Sequence, residues 1–101
     1  MILYNITVKV HSSICDAWRT WAIHEHIPDV MASGCFTGSE IFRLMETDET
    51  DGPTYAIQFR AESKSLYNLY IEKHAAAMRD KSFQKWGDKF IAFRSVMQIV
   101  D

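Results

Sequence analysis

Proton-transfer chemistry in this chain can come from four histidines and thirteen carboxylates, and their spacing singles out three residues. His74 falls close to the centreline of a helical stripe formed by Leu66, Tyr67, Tyr70, Ile71, Ala77 and Met78, so its ring is predicted to face a sheet. A buried imidazole needs partners for its nitrogens. It is either a satisfied core histidine or an acid–base or ligand-binding group in a cavity. Glu25 raises the same question on an earlier helix, near the middle of the stripe Ile14, Ala17, Trp18, Trp21 and Ala22. The two residues lie at similar depths in their helices, so Glu25 and His74 are expected to approach one another beneath the helix layer. Such a pair would raise the His pKa and lower the Glu pKa, with desolvation opposing both; otherwise Glu25 reaches solvent. His26, at the corner before Pro28, is the third candidate, with an ordinary surface position as its alternative.

Other site chemistries are poorly supplied. His24 and His26 are two residues apart and share no helix face, so they form no helical metal pair. No Cys-based metal motif and no glycine loop able to cradle a phosphate is present, and no metal is expected. Cys15 and Cys35 have no neighbouring base in sequence and read as unreactive, reduced thiols. Asp29 sits where it would favour a helix N-terminus, a structural role.

The elements that must position these residues follow from hydrophobic periodicity. Ile2 to Val10 alternates, with Ile2, Tyr4, Ile6, Val8 and Val10 on one side, as a half-buried strand does. Ser13 and Asp16 resemble a capping box, so a helix is predicted from about Ile14. Pro28 disfavours helical geometry at Ile27, where the helix should end or bend; a short turn then closes at Gly34. Cys35 to Glu46 reads as a second strand, Glu46 to Pro53 as an acidic turn, and Thr54 to Ala61 as a third strand with Tyr55, Ile57 and Phe59 on one side. A single helix is predicted from Ser63 or Ser65 to about Phe83, Gly87 marks a stop, and Phe90 to Val100 is the last strand. The order β-α-β-β-α-β over residues 1–101 predicts one α+β domain, a ferredoxin-like plait with a four-stranded antiparallel sheet and both helices on one face.

The opposite face then needs an occupant. The expected parities place Arg43, Arg60 and Arg94 there, among Leu3, Met45, Phe90, Ala92 and Val96. A solvated face is one reading. A sheet-to-sheet homodimer is the favoured one, because arginine is enriched in such surfaces and forks onto carboxylates. RNA binding would require exposed aromatics on the third strand. Tyr55 and Phe59 point to the helix side instead, and the net charge is −2, so no nucleic-acid partner is expected. No apolar run approaches the roughly 20 residues of a membrane span, and no basic-then-apolar leader opens the chain; a cytoplasmic protein is expected.

Trp18-x-x-Trp21, Glu25-His26-Ile27-Pro28-Asp29-Val30, Gly34-Cys35-Phe36, Gly52-Pro53-Thr54-Tyr55-Ala56 and Gly87-Asp88-Lys89-Phe90-x-Ala92-Phe93-Arg94 together resemble a bacterial family, domain of unknown function 4286, over nearly the whole chain. The family implies a small cytoplasmic protein and brings no established activity. The His26-x-Pro28 corner followed by Gly34 also resembles the wider dimeric α/β-barrel group of EthD-like proteins, antibiotic-biosynthesis-type monooxygenases and muconolactone-isomerase-like enzymes. That likeness implies sheet-to-sheet homodimers with a cavity between helices and sheet. Asn5 and His74 resemble part of the Asn, Trp and His set of haem-degrading relatives, but no Trp lies on or just after the third strand, and no cofactor is expected. The chain is therefore read as a homodimeric binding or structural module whose cavity is lined by Trp18, Trp21, Tyr55, Phe59, Tyr70 and His74. The alternative is a cofactor-free monooxygenase or isomerase acting on a small aromatic compound, with His74 or His26 as base.

Overall fold

The alternation of Ile2–Val10 is realised as strand β1 (Ile2–Val10), every second residue of which is buried. It pairs antiparallel on one side with β3 (Thr54–Ala61) and on the other with β4 (Phe90–Gln98), while β2 (Gly38–Arg43) pairs with β3. The sheet order is β2-β3-β1-β4, the order of a ferredoxin-like plait. The computed structural model describes residues 1–100; Asp101, the last residue of the expected domain, lies outside them. The helical layer covers one face. Its first arm comprises α1 (Cys15–Trp21), a π-helical turn (Ala22–His26) and α2 (Ile27–Met31); its second comprises α3 (Lys64–Lys73) and α4 (Ala75–Trp86). Tyr4, Ile6, Tyr55, Ile57 and Phe59 form the floor of the core, and among the described residues no polar or charged one is fully buried.

The first arm neither ends nor breaks at Pro28. The π turn widens the backbone just before it, with the Ile27 N–H donating to the Ala22 carbonyl five residues back, and the helix continues to Met31. The turn also resets the inward face. On a uniform helix at 3.6 residues per turn, Trp21 and Glu25 continue the stripe begun by Trp18. With one wider turn the inward positions become Trp18, Ala22 and Val30, all buried, and His26 turns in where Glu25 was expected. Gly34 adopts φ +76°, as the closing turn requires.

The second arm is not one helix. His74, at φ −126° and ψ −32°, separates α3 from α4. Tyr70 and Ala75 are both about 2% exposed, yet five residues diverge by about 140° on a straight helix; the joint at His74 lets both face the sheet. His74 is therefore a half-exposed hinge residue rather than a mid-helix core group. At the other end, Ser63 caps α3, its hydroxyl accepting from the Leu66 N–H at 3.2 Å.

The two edge strands carry the main corrections. β2 begins at Gly38 because Cys35 and Phe36 are taken up as a buried plug, the Phe36 ring packing on Phe59 and Tyr70 with centroids 5.2 and 4.9 Å apart. Its register with β3 places Ile41 opposite Ile57 and Arg43 opposite Tyr55, so Ile41 and Arg43 take the helix side and Glu40 and Phe42 the open side. In β4, Phe90 pairs with Val10, Ala92 with Val8 and Arg94 with Ile6. Phe90, Ala92 and Arg94 thus face the helices, and Ile91, Phe93 and Met97 face outward. The expected surface of three arginines is overturned. Arg60 alone emerges there, bonded to Glu40 at 2.8 Å. Arg43 forks onto Glu49 at the sheet edge, and Arg94 takes the helix side of β4 but stays exposed. β4 carries apolar residues on both sides, and β2 only one large apolar residue on each, Ile41 and Phe42, so neither composition specifies a parity.

Candidate functional site

The π turn, α4 and strands β1 and β4 enclose a half-open cleft between helices and sheet. Its floor is Tyr4, Ile6, Val8 and Ala92, its wall Trp18, Trp21, His26, Tyr70 and Met78, and its rim Arg79, Ser82 and Arg94. The free space inside is about 40 Å³, enough for a water or two and too small for a ring. No carboxylate lines it.

His26 is held in the cleft by the π turn and lies on Trp21, the two rings stacked 4.7 Å apart at 18°. Trp21 in turn meets Trp86 edge-on at 5.8 Å, and the Trp86 indole N–H is buried without a hydrogen-bond partner among the described residues. Burial drives the His26 pKa down from 6.5 to about 4; Asp29 opposes this, while the positive charges of Arg94 and Lys81 reinforce it. The imidazole is uncharged at neutral pH. Burial likewise raises the phenol pKa values of Tyr4 and Tyr70, with Arg94 and Arg79 pulling the other way. Both tyrosines remain neutral hydroxyl donors. Ser82 is already engaged, its hydroxyl donating to the Met78 carbonyl at 3.2 Å. The cleft thus presents neutral donors and two guanidinium groups over an apolar floor. A base with a pKa near 4 is poorly matched to proton abstraction at neutral pH.

The predicted site residues divide. Trp18, Trp21, Tyr70 and His26 line the cleft. Tyr55 and Phe59 do not: Tyr55 stacks under Trp18 at 5.3 Å, and Phe59 is fully enclosed in the core. His74 lies outside the lining, its ring 6.0 Å from that of Tyr70. Glu25 is exposed, beside Trp21, His24 and Lys85 in a surface groove between the first arm and α4. No ion pair or hydrogen bond joins Glu25 to His74 among the described residues. The expectation that they share a buried site gives way to the π turn, which rotates Glu25 out, and to the joint, which takes His74 off the helix face. Arg79 and Tyr4 were not singled out as site residues from the sequence, and Arg94 was expected on the opposite face. Tyr4 was legible from the alternation of β1, but Arg94 was hidden by the two-sided apolar pattern of β4. Among the described residues no group of three His, Cys, Asp or Glu is placed to hold a metal, and no helix is long and apolar enough to cross a membrane.

A family described as a domain of unknown function, DUF4286, matches residues 1–100. No curated protein matches the sequence. Among solved structures, the chain is similar to a heme-degrader, MhuD, of Mycobacterium tuberculosis, at TM-score 0.71 and 13% identity, covering 100% of this chain and 97% of that one. It is similar to a dimeric ferredoxin-like protein from an uncultured marine organism, at TM-score 0.68 and 12% identity over 100% and 96% of the two chains. It is also similar to an EthD family protein of Bacillus halodurans, at TM-score 0.66 and 11% identity over 98% and 100%. At these identities the likeness is one of fold.

Proposed function

The chain belongs to the DUF4286 family, whose description carries no activity, and we propose that it is a homodimeric module that binds a small molecule in the helix–sheet cleft. One observation supports the reading above the others. The core is otherwise apolar, yet the polar side chains of His26, Tyr4 and Tyr70 reach inward at this one half-open seam, and the exposed Arg79 and Arg94 stand at its rim. A few convergent polar groups in a mainly apolar lining is the composition of a ligand site. The free space of about 40 Å³ is far below the roughly 300 Å³ of a formed ligand pocket, so this reading requires a side chain to move. Met78 and Trp21 are only partly buried, and displacing the flexible Met78 side chain makes room for a ligand.

Dimerisation is supported by the open sheet face. Phe93, Ile91, Phe42 and Met97 are 69%, 58%, 42% and 41% exposed there, beside Leu3, which pairs with Met97. Such a patch fits a self-complementary contact, which a two-fold dimer supplies, and a solved structural relative is described as dimeric. Acid–base catalysis on a small aromatic compound, the alternative read from the sequence, is disfavoured by a His26 that resists protonation and a His74 outside the cleft.

A screen of small aromatic and aliphatic fragments by ¹H–¹⁵N NMR tests the binding reading. Fragments that shift the Trp21 indole and His26 signals support it; fragments that bind only elsewhere, or none, overturn it. Light scattering tests the assembly: a mass of twice the 11.7 kDa chain is expected, and a monomer at high micromolar concentration contradicts it.

A further inference from the structure

We infer that the mouth of the cleft is an anion site, taking the carboxylate of a small compound whose apolar body lies against the aromatic wall. The inference rests on the cleft being a ligand site and specifies what that site recognises.

Four features of the geometry converge on it. Arg79 on α4 and Arg94 on β4 reach the same cleft from opposite layers. Among the described residues neither forms an ion pair, whereas the other three arginines, Arg19, Arg43 and Arg60, do; Lys9, Lys64, Lys85 and Lys89 are also without one, but none of them lines the cleft. No Asp or Glu lines the cleft to neutralise them. Every other polar group within reach is a neutral donor or occupied: the phenols of Tyr4 and Tyr70, the uncharged His26, and Ser82, bonded to Met78.

Arg79 and Arg94 are exposed at the cleft mouth, so water screens their mutual repulsion, and an anion seated there accepts hydrogen bonds from both guanidinium groups. Guanidinium forks match a planar carboxylate in particular. The rest of the lining selects against a bare inorganic anion. Trp21, Ile6, Val8, Ala92 and Met78 offer no hydrogen bonds, so a fully hydrated ion such as phosphate would lose water there without replacement. A carboxylate carrying one ring or a short aliphatic body satisfies both ends. The small free volume, opened by Met78, sets the size at about one ring.

The test is a ¹H–¹⁵N shift titration of the whole chain with benzoate, its neutral isostere benzamide, and inorganic phosphate. Benzoate is expected to move the signals of Trp21, His26 and Arg94 and to bind about tenfold more tightly than benzamide, the scale of one charge-assisted hydrogen bond. That preference should vanish in Arg94→Met, fall in Arg79→Met, and be largely kept in Arg94→Lys, whose spectrum also reports that the fold is intact. Phosphate should not displace benzoate. Equal binding of benzamide, or benzoate binding indifferent to both arginine variants, overturns the anion assignment while leaving the cleft a ligand site. Displacement by phosphate overturns the requirement for an apolar body. No response to any of the three compounds overturns the anion site, and with an empty fragment screen it overturns the binding reading too.

Discussion

Toward β3, the rings of Phe36 and Phe59 pack with those of Tyr4 and Tyr70, which border the cleft on their other side, with centroids 4.9 to 6.4 Å apart, and leave no polar group among them except phenols. Over β1 and β4, the same helical layer rests on His26, Trp21, Met78 and the stems of Arg79 and Arg94 around a half-open cleft. One sheet face therefore carries a solid half and an adaptable half. The first holds the fold together through apolar burial. The second contributes less packing and keeps its polar groups available. The difference places the tighter packing over β3 and fits the proposal that a ligand is taken up beside β4.

The comparison can be broken most severely on the solid side. Phe59→Ala should destabilise the protein by about 3–5 kcal/mol, since the ring is fully enclosed and its neighbours cannot collapse into the space. Denaturant unfolding measures this; a loss below about 1 kcal/mol would mean the two halves are equally loose. On the adaptable side the largest effect is pH-linked. The His26 imidazole titrates near 6.5 when unfolded and near 4 when folded, so between those values the unfolded chain binds more protons. Its contribution is present above pH 6.5 and is lost as pH falls toward 4, by about 3 kcal/mol at most. His26→Gln should flatten that part of the stability profile, whereas an unchanged slope would place the acid sensitivity elsewhere.

Smaller effects sharpen the boundary between the halves. Trp86→Phe removes a buried indole N–H that has no partner while keeping an aromatic ring against Trp21. It should alter stability by less than about 1 kcal/mol in either direction, because no hydrogen bond is lost; a larger loss would show that the N–H is satisfied in solution. On the outer face, Glu40→Gln breaks the exposed Arg60 pair and should shift stability by no more than about 1 kcal/mol. Phe93→Glu, on the same face, should leave the monomer's secondary structure intact by circular dichroism and halve the mass in solution.

What was legible in the sequence follows the same division. β1 and β3 alternate apolar with polar residues, so one face is dictated and Tyr4, Tyr55, Ile57 and Phe59 were placed correctly. The element order and family resemblance were legible too, since Gly34 and the motifs around it sit where backbone conformation restricts residue type. β2 and β4 were not, because Phe90-Ile91-Ala92-Phe93 offers apolar side chains to both faces and only the pairing of Val10 with Phe90 decides between them. The helices hid two register changes. No glycine marks the joint at His74, and Pro28 announced a disturbance without revealing that a single wide turn would absorb it. Both changes moved the candidate residues: His74 left the stripe, Glu25 turned out and His26 turned in. A helical wheel of fixed period cannot anticipate this, since packing against the sheet selects the extra rotation.

The cleft holds His26 largely buried and uncharged, which suits recognition and not proton abstraction. An NMR titration of the His26 ring in the free protein tests it most directly. A pKa near 4 is expected. A value near 6.5 would mean an imidazole in contact with bulk water, and would contradict both the burial of the ring in the cleft and the choice of binding over catalysis.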